Sequence, residues 1–236
     1  MQSNTRIPKV IHYCWFGKNE MPTLNMKCID SWKRLLPDYD LELWNEERFD
    51  VNMNQFTREA YQMRKWAFVS DYVRLYALYH YGGIYIDTDV EVLRPLDRFL
   101  VHSAFTGFES SDYVPTGIMG AEKGNKWVER LLEYYEDKRF IVEGGLDTTP
   151  NTAIITDLSI EMGLSPDNSY QILDHDVHIY PKEFFCPMAF DSLRKDITDN
   201  TYAIHYFSGS WLSRSSRMKV AMRRFLSALK ERFVRS

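Results

Sequence analysis

A double glycine followed at once by a short apolar strand and two alternating carboxylates, Gly82-Gly83-Ile84-Tyr85-Ile86-Asp87-Thr88-Asp89, most constrains what this chain can become. Glycines in succession stop a helix, and the strand begins on the very next residue, so the apolar period switches from 3.6 to 2 without a loop. Side chains alternate along a strand, which sends Ile84 and Ile86 to one face and Tyr85 and Asp87 to the other. If the backbone stays extended through Thr88, Asp87 and Asp89 point the same way from the strand's end. Open α/β sheets hold their ligands at that end.

The residues on either side continue an alternating α/β rhythm. A β-branched and aromatic run over 9–16, placed after Pro8 and closed by Gly17, reads as a first buried strand. Leu24, Cys28, Trp32 and Leu35 recur at helical spacing over 23–36 before Pro37, and 39–44 reads as a second strand. The period over 57–81 predicts one long helix burying Ala60, Met63, Ala67, Val73, Tyr76 and Ala77. Further strands are expected at 104–108, 117–121, 177–180 and 202–206, with helices over 125–138 and 152–162.

Composition excludes several classes. At 236 residues, with 44% hydrophobic and 26% charged side chains, the chain suits one globular core. A net charge of −4 shows no basic footprint for nucleic acid. The charge is uneven, however: residues 212–236 carry eight basic side chains and one acid, Glu231, so the remainder sits near −11. A polyanionic ligand bound in that acidic part therefore needs a metal or a local basic group. Cys14, Cys28 and Cys186 lack metal-ligand spacing and form no disulfide framework, as expected of a reducing compartment. The start has no signal-peptide core, and no run reaches the roughly 20 apolar residues of a membrane span. A cytoplasmic protein is expected. Over the tail, Met218, Met222, Phe225, Leu229 and Phe233 recur at helical spacing among arginines and lysines, the pattern of an amphipathic helix. Such a helix packs on its own domain or contacts an anionic membrane, here the inner face.

Paired carboxylates are hard oxygen ligands suited to Mg²⁺ or Mn²⁺, ions that keep positions open for phosphate oxygens. An isolated acidic pair is commonplace, but its setting here is not. The stretch from Ala67 through Asp71, Arg74, Gly82, Gly83, Asp87 and Asp89 to Val90 resembles the signature of glycosyltransferase family 32, the DXD-containing sugar transferases, and the catalytic domains of the large clostridial glucosylating toxins. The opening run Ile7 to Gly17, with His12 and Trp15, is similar to that family's first-strand motif, and Ala203 to Trp211, with His205 and Ser210, to its closing motif. The likeness spans about residues 6 to 211 and is loose over 95–200.

The resemblance implies a GT-A fold, a Rossmann-like nucleotide-binding mixed sheet flanked by helices, over residues 1–211, followed by the basic amphipathic helix over 212–236. It implies a metal-dependent, retaining transferase that moves a hexose or N-acetylhexosamine from a nucleotide-diphosphate sugar, with a UDP-sugar favoured, to a glycan or lipid-linked acceptor. Stand-alone members of this size resemble bacterial surface-polysaccharide enzymes of capsule or lipopolysaccharide synthesis. Asp87 and Asp89 would hold Mn²⁺ or Mg²⁺ with His205 as third ligand. Asp71 and Arg74 would bind the donor, Trp15 would stack on its base, and Ser210 and Trp211 would close over the diphosphate. Asp71 and Arg74 also suit a simple ion pair, and His12 a satisfied core histidine. Asp147, Thr148 and Asn151 fall where an acceptor-side loop belongs, unranked. The rival readings are a haloacid-dehalogenase-like phosphohydrolase, with Asp87 as nucleophile and Asp89 as acid/base, and a non-catalytic nucleotide-sugar-binding module.

Overall fold

The structure, a computed structural model, describes residues 5–115, 117–190, 194–209, 218–220 and 222–223. Strand β1 (Val10–Cys14) lies between β2 (Asp40–Trp44) and β3 (Gly83–Ile86), all three parallel. Beyond β3 runs antiparallel β6 (Ile118–Ala121), then β5 (Ala104–Gly107), β10 (Val177–Tyr180) parallel to β5, and antiparallel β9 (Gln171–Leu173) at the edge. The order β2-β1-β3-β6-β5-β10-β9 makes a mixed seven-stranded sheet. A separate ribbon pairs β4 (Val90–Val92) antiparallel with β11 (Ala203–His205).

Alternation along the strands builds two cores. Ile11, Ile84, Ile86 and Ile118 turn to one face, where Ile29, Trp32 and Leu36 of α1 (Thr23–Leu35) and its exit meet them together with Val90 and Val92. Tyr85, Met119, Val177 and Ile179 turn to the other, against α2 (Gln55–Gln62), α3 (Trp66–Tyr81), α4 (Lys126–Glu133) and α5 (Asn151–Ile160). The face assignment of Ile84, Tyr85 and Ile86 read from the sequence is the one observed. Burying one such side chain contributes roughly 1.5–3 kcal/mol, and every central strand does so on both faces.

The long helix expected over 57–81 is two. Arg64 takes φ 55° and the Lys65 N–H bonds Ala60 O at 2.8 Å, closing α2 before α3 begins at Trp66. A tertiary contact overrides the local period here. The space a Cβ would occupy at Gly17 is filled by the Trp66 indole, 2.5 Å from that position, and Gly17 itself has φ 92°. Met63, expected in the core, is instead 44% exposed at the break. Leu24 is also exposed, because Asn25 and Cys28 take the buried face of α1. Asn54 caps α2 through Thr57 N–H, and Glu59, buried on the same helix, accepts from the Phe140 and Ile141 N–H groups at 2.9 Å each and from Arg139 Nε at 2.7 Å. It thereby anchors the hairpin of β7 (Ile141–Val142) and β8 (Gly145–Leu146), which leads into the 147–151 loop. Of the tail, 218–220 and 222–223 are helical with Met218 and Met222 exposed; the rest of the expected helix lies outside the described residues.

His12 joins three elements. Its Nε2–H donates to Gly82 O at 2.8 Å, just past α3, while Nδ1 accepts from Trp44 Nε1 of β2 at 3.1 Å. Burial holds its pKa down to about 4 from 6.5, the Gly82 bond restoring part of the loss. Charging is thus disfavoured in the fold: the contribution is complete above pH 6.5 and is lost as pH falls toward 4. His12→Gln is expected to flatten the fall in stability between pH 7 and pH 4.5 by roughly 2–3 kcal/mol relative to the parent, read from urea melts at both pH values. An unchanged difference would show that His12 is not what titrates.

Candidate active site

The carboxyl ends of β1 and β3 open into a cleft of about 700 Å³. Helix α3 delivers Asp71 and Arg74 to its floor on one helical face. Arg74 is buried, with Nη2 at 3.0 Å from Asp71 Oδ1 and 3.4 Å from Asp87 Oδ1, and with its guanidinium carbon 4.7 Å from the Tyr85 ring centre. The Tyr85 hydroxyl donates to the same Asp87 oxygen at 2.9 Å. Burial alone would lower the Arg74 pKa, but Asp87, Tyr85 and Asp71 outweigh it and raise it above its ordinary value. Burial pushes the Asp71 carboxyl up to about 6, against the pull of Arg74. Arg74 Nε is buried without a hydrogen-bond partner.

The backbone does not stay extended through Thr88. Val90 N–H bonds Asp87 O at 3.0 Å, closing a turn over 87–90, while Asp87 N–H is tied to Gly117 O at 2.8 Å. The turn lets the chain leave the main sheet so that β4 can pair with β11. Helix α1 grips it from the far side: Asn25 Nδ2 donates to Thr88 Oγ1 at 2.8 Å, Trp32 Nε1 to Val90 O at 2.8 Å, and Val92 N–H to Ser31 Oγ at 2.9 Å. A Cβ at Gly117 would meet Val90 at 2.6 Å and Asp87 Oδ2 at 3.2 Å, so this close approach needs glycine. Asp87 and Asp89 still line one cleft, yet with different partners. The β4–β11 register sets His205 opposite Val90, which brings His205 Nε2 to 3.4 Å from Asp89 Oδ1. Tyr206 N–H then bonds Asp89 O at 3.0 Å and Ser208 N–H bonds Asp89 Oδ2 at 2.7 Å. Burial would raise the Asp89 carboxyl, but His205 and Ser208 hold it well below the usual carboxylate range; Asp89 likewise outweighs burial at His205 and raises the imidazole well above 6.5.

Of the residues singled out from the sequence, Trp15, Asp71, Arg74, Asp87, Asp89 and His205 all line this cleft, while Ser210 and Trp211 lie outside the described residues. Trp15 is half-buried rather than core, its indole N–H fixed to Asn19 O at 2.7 Å. The structure adds residues that the sequence left unmarked or unranked. Trp66 lines the same end as Trp15, and Glu109 faces His205. Asn151, at the start of α5, has both side-chain amide atoms buried without a partner. Its place on an acceptor-side loop, just before the helix expected from 152, was visible; that the amide is unsatisfied was not. The Cys14 thiol, at the end of β1, is pushed by burial up to about 12, which removes it as a nucleophile at neutral pH.

Among the described residues, no three His, Cys, Asp or Glu side chains form a ready cage for an ion. The donor set nonetheless fits a divalent cation that shares its sphere with phosphate. Two carboxylates and an imidazole open to one cleft, and His205 Nε2 lies beside the Asp89 carboxylate, so oxygen and nitrogen donors suited to such an ion face the same space.

Residues 22–106 match the family described as the glycosyltransferase sugar-binding region containing the DXD motif. Inositol phosphoceramide mannosyltransferase 3 of Schizosaccharomyces pombe is 33% identical over 138 residues, 53% of this chain and 36% of that protein. A mannosyl phosphorylinositol ceramide synthase of Saccharomyces cerevisiae is 32% identical over 150 residues, 57% of this chain and 38% of that one. The human alpha-1,4-N-acetylglucosaminyltransferase is 37% identical over 108 residues, 44% of this chain and 28% of that protein. The chain thus spans well under half the length of these relatives. The solved PaToxG glycosyltransferase superposes with a TM-score of 0.50 at 16% identity, covering 66% of this chain and 69% of its own, a likeness of fold.

Arg74→Ala would leave two part-buried carboxylates without their cation and is expected to destabilise the protein by about 2–3 kcal/mol in denaturant melts. Adding Asp71→Asn should recover part of that loss, because one uncompensated charge is removed. A melt of Arg74→Ala that matches the parent would deny the knot its structural weight.

Proposed function

From the premise that this chain carries the DXD-containing glycosyltransferase sugar-binding region on a GT-A fold, we propose that it transfers a hexose or N-acetylhexosamine from a nucleotide-diphosphate sugar, with retention of configuration. The observation that carries this reading is the convergence of Asp71, Arg74, Asp87, Asp89 and His205 on one cleft. The relatives whose names specify mannosyl and N-acetylglucosaminyl transfer support that sugar class. A UDP-sugar is the favoured donor.

Each residue's part follows from its position. Trp15, fixed through its indole N–H, stacks on the donor base at the end of β1. Asp71 and Arg74 meet the donor from α3: the carboxylate accepts from its hydroxyls, and the guanidinium, charged at every accessible pH, donates to it. Asp87, Asp89 and His205 would hold Mn²⁺ or Mg²⁺, which when bound neutralises charge growing on the diphosphate. Ser210 and Trp211 are proposed to cover that diphosphate. Asn151 offers a paired donor and acceptor to a sugar hydroxyl from across the cleft. In the transfer, the bond from the anomeric carbon to the diphosphate oxygen breaks as one forms to the acceptor oxygen. The acceptor's proton passes to the leaving phosphate, so no protein nucleophile is required. The inert Cys14 thiol and the engagement of Asp87 with Tyr85 and Arg74 accord with such a route.

The proposed acceptor is a glycan or lipid-linked oligosaccharide of bacterial surface-polysaccharide synthesis. Relatives named for ceramide-bearing products support an acceptor carried on lipid. A cytoplasmic enzyme touching the inner membrane face through its basic tail, 212–236, would meet such an acceptor.

Purified protein with Mn²⁺ is expected to release nucleotide from one member of a panel of UDP- and GDP-sugars, and to lose that release in EDTA and in Asp89→Ala. Release from none, with calorimetry showing no donor binding, would overturn the reading; phosphate release from simple phosphomonoesters would replace it with a phosphohydrolase. For the tail, sedimentation with anionic liposomes should fall at least several-fold on deletion of 212–236, and equal binding by the truncated form would remove the membrane contact.

A further inference from the structure

His205 is unusually confined for a side chain at the edge of an open cleft. It is 8% exposed, and the Phe207 ring stacks on it at 4.2 Å between centroids and 29° between planes. Nε2 faces Asp89 at 3.4 Å. The opposite nitrogen, Nδ1, is buried with no formed hydrogen bond; the Cys186 thiol also borders the ring but is itself turned to Met188 O, and Glu109 Oε2 lies 3.6 Å from Nδ1. That separation is beyond a formed hydrogen bond but within the reach of a small rotation about the Glu109 side chain, which is 26% exposed and has no other side-chain partner among the described residues.

The place of Glu109 is set by the main chain. It stands just beyond β5 and Phe108; Phe108 N–H bonds Tyr180 O at 2.9 Å, extending the β5–β10 ladder, and Glu109 N–H bonds Tyr113 O at 2.8 Å, closing the loop that begins there. The residue thus reaches the site from the sheet's far half, while Asp89 and His205 arrive on the β4–β11 ribbon. No pattern in the sequence marks it, since it stands alone among Phe108, Ser110 and Ser111.

An imidazole can offer only one nitrogen lone pair, and which one it offers is decided by what holds the proton on the other. We propose that Glu109 is the positioning residue for His205: its carboxylate accepts the Nδ1 proton, fixes the ring about its axis and leaves Nε2 as the atom presented beside Asp89. This rests on the reading of Asp89 and His205 as metal ligands. It accounts for a carboxylate that borders the donor cleft without an ion pair to Arg74, and for a buried nitrogen otherwise left unsatisfied.

The test measures Mn²⁺ binding to the full chain by calorimetry and by the free-Mn²⁺ paramagnetic resonance signal, with and without UDP or GDP. Glu109→Ala is expected to raise the Kd about 10–100-fold, and Glu109→Gln, whose amide oxygen still accepts, to stay within several-fold of the parent. Thermal melts should be nearly unchanged in both. Imidazole ¹⁵N shifts should show His205 protonated at Nδ1 in the Mg²⁺-loaded parent and a mixed tautomer in Glu109→Ala. Parental affinity in Glu109→Ala would overturn the proposal, as would equal losses in both variants, which would mean that the carboxylate's charge rather than its hydrogen bond matters. Absence of Mn²⁺ binding in the parent, even with nucleotide, would bring down the metal-site reading and this proposal with it.

Discussion

The buried charge knot around Arg74 is the constraint on which the rest of the structure depends. A guanidinium placed between a helix and a sheet must be answered by carboxylates at short range, because an uncompensated charge at that depth costs several kcal/mol. Asp71 answers from α3 and Asp87 from the end of β3, with Tyr85 lying under the guanidinium and donating to Asp87. Helix and strand are thereby locked in one relative position at the mouth of the cleft. The knot is also poised for a ligand: Arg74 Nε has no partner, and burial drives the Asp71 carboxyl up to about 6. Groups held this way exchange little on binding, since they are already ordered and stripped of water.

A second constraint acts on Asp89. The chain turns at 87–90 to leave the main sheet, and the ribbon it then forms with β11 fetches His205 from far along the sequence. The Asp89 backbone oxygen and carboxylate in turn bond the N–H groups of Tyr206 and Ser208. One aspartate therefore organises the segment that runs toward Ser210 and Trp211.

The sequence made much of this legible where the signal was local. Alternation separated Ile84 and Ile86 from Tyr85, and the two cores are divided accordingly. Spacing put Asp71 and Arg74 on one face of a helix, and they pair at 3.0 Å. Where distant residues intervened, the local signal misled. The helix expected over 57–81 breaks at Arg64, and Trp66 packs into the space left by Gly17, in the loop after β1. Thr88 turns instead of extending, because Asn25 and Trp32 of α1 and the pairing of β4 with β11 hold it there. Asn151 could be placed beside Asp147 and Thr148 but not ranked above them, and Glu109 gave no signal at all; one matters through an unsatisfied amide and the other through its distance to a histidine.

By itself the sequence determined the chemistry available and the periodicity that carries it: a helix with Asp71 and Arg74, a glycine stop, and a strand ending in Asp87 and Asp89. These follow from backbone geometry, which repeats every few residues and so can be read from spacing. Only the tertiary structure decided which oxygen faces which partner. Asp87 turned to Arg74 and Tyr85, where helix α3 packs on β3, while Asp89 turned to His205 and Ser208, because the pairing of β4 with β11, more than a hundred residues apart in the chain, determines what that carboxylate meets.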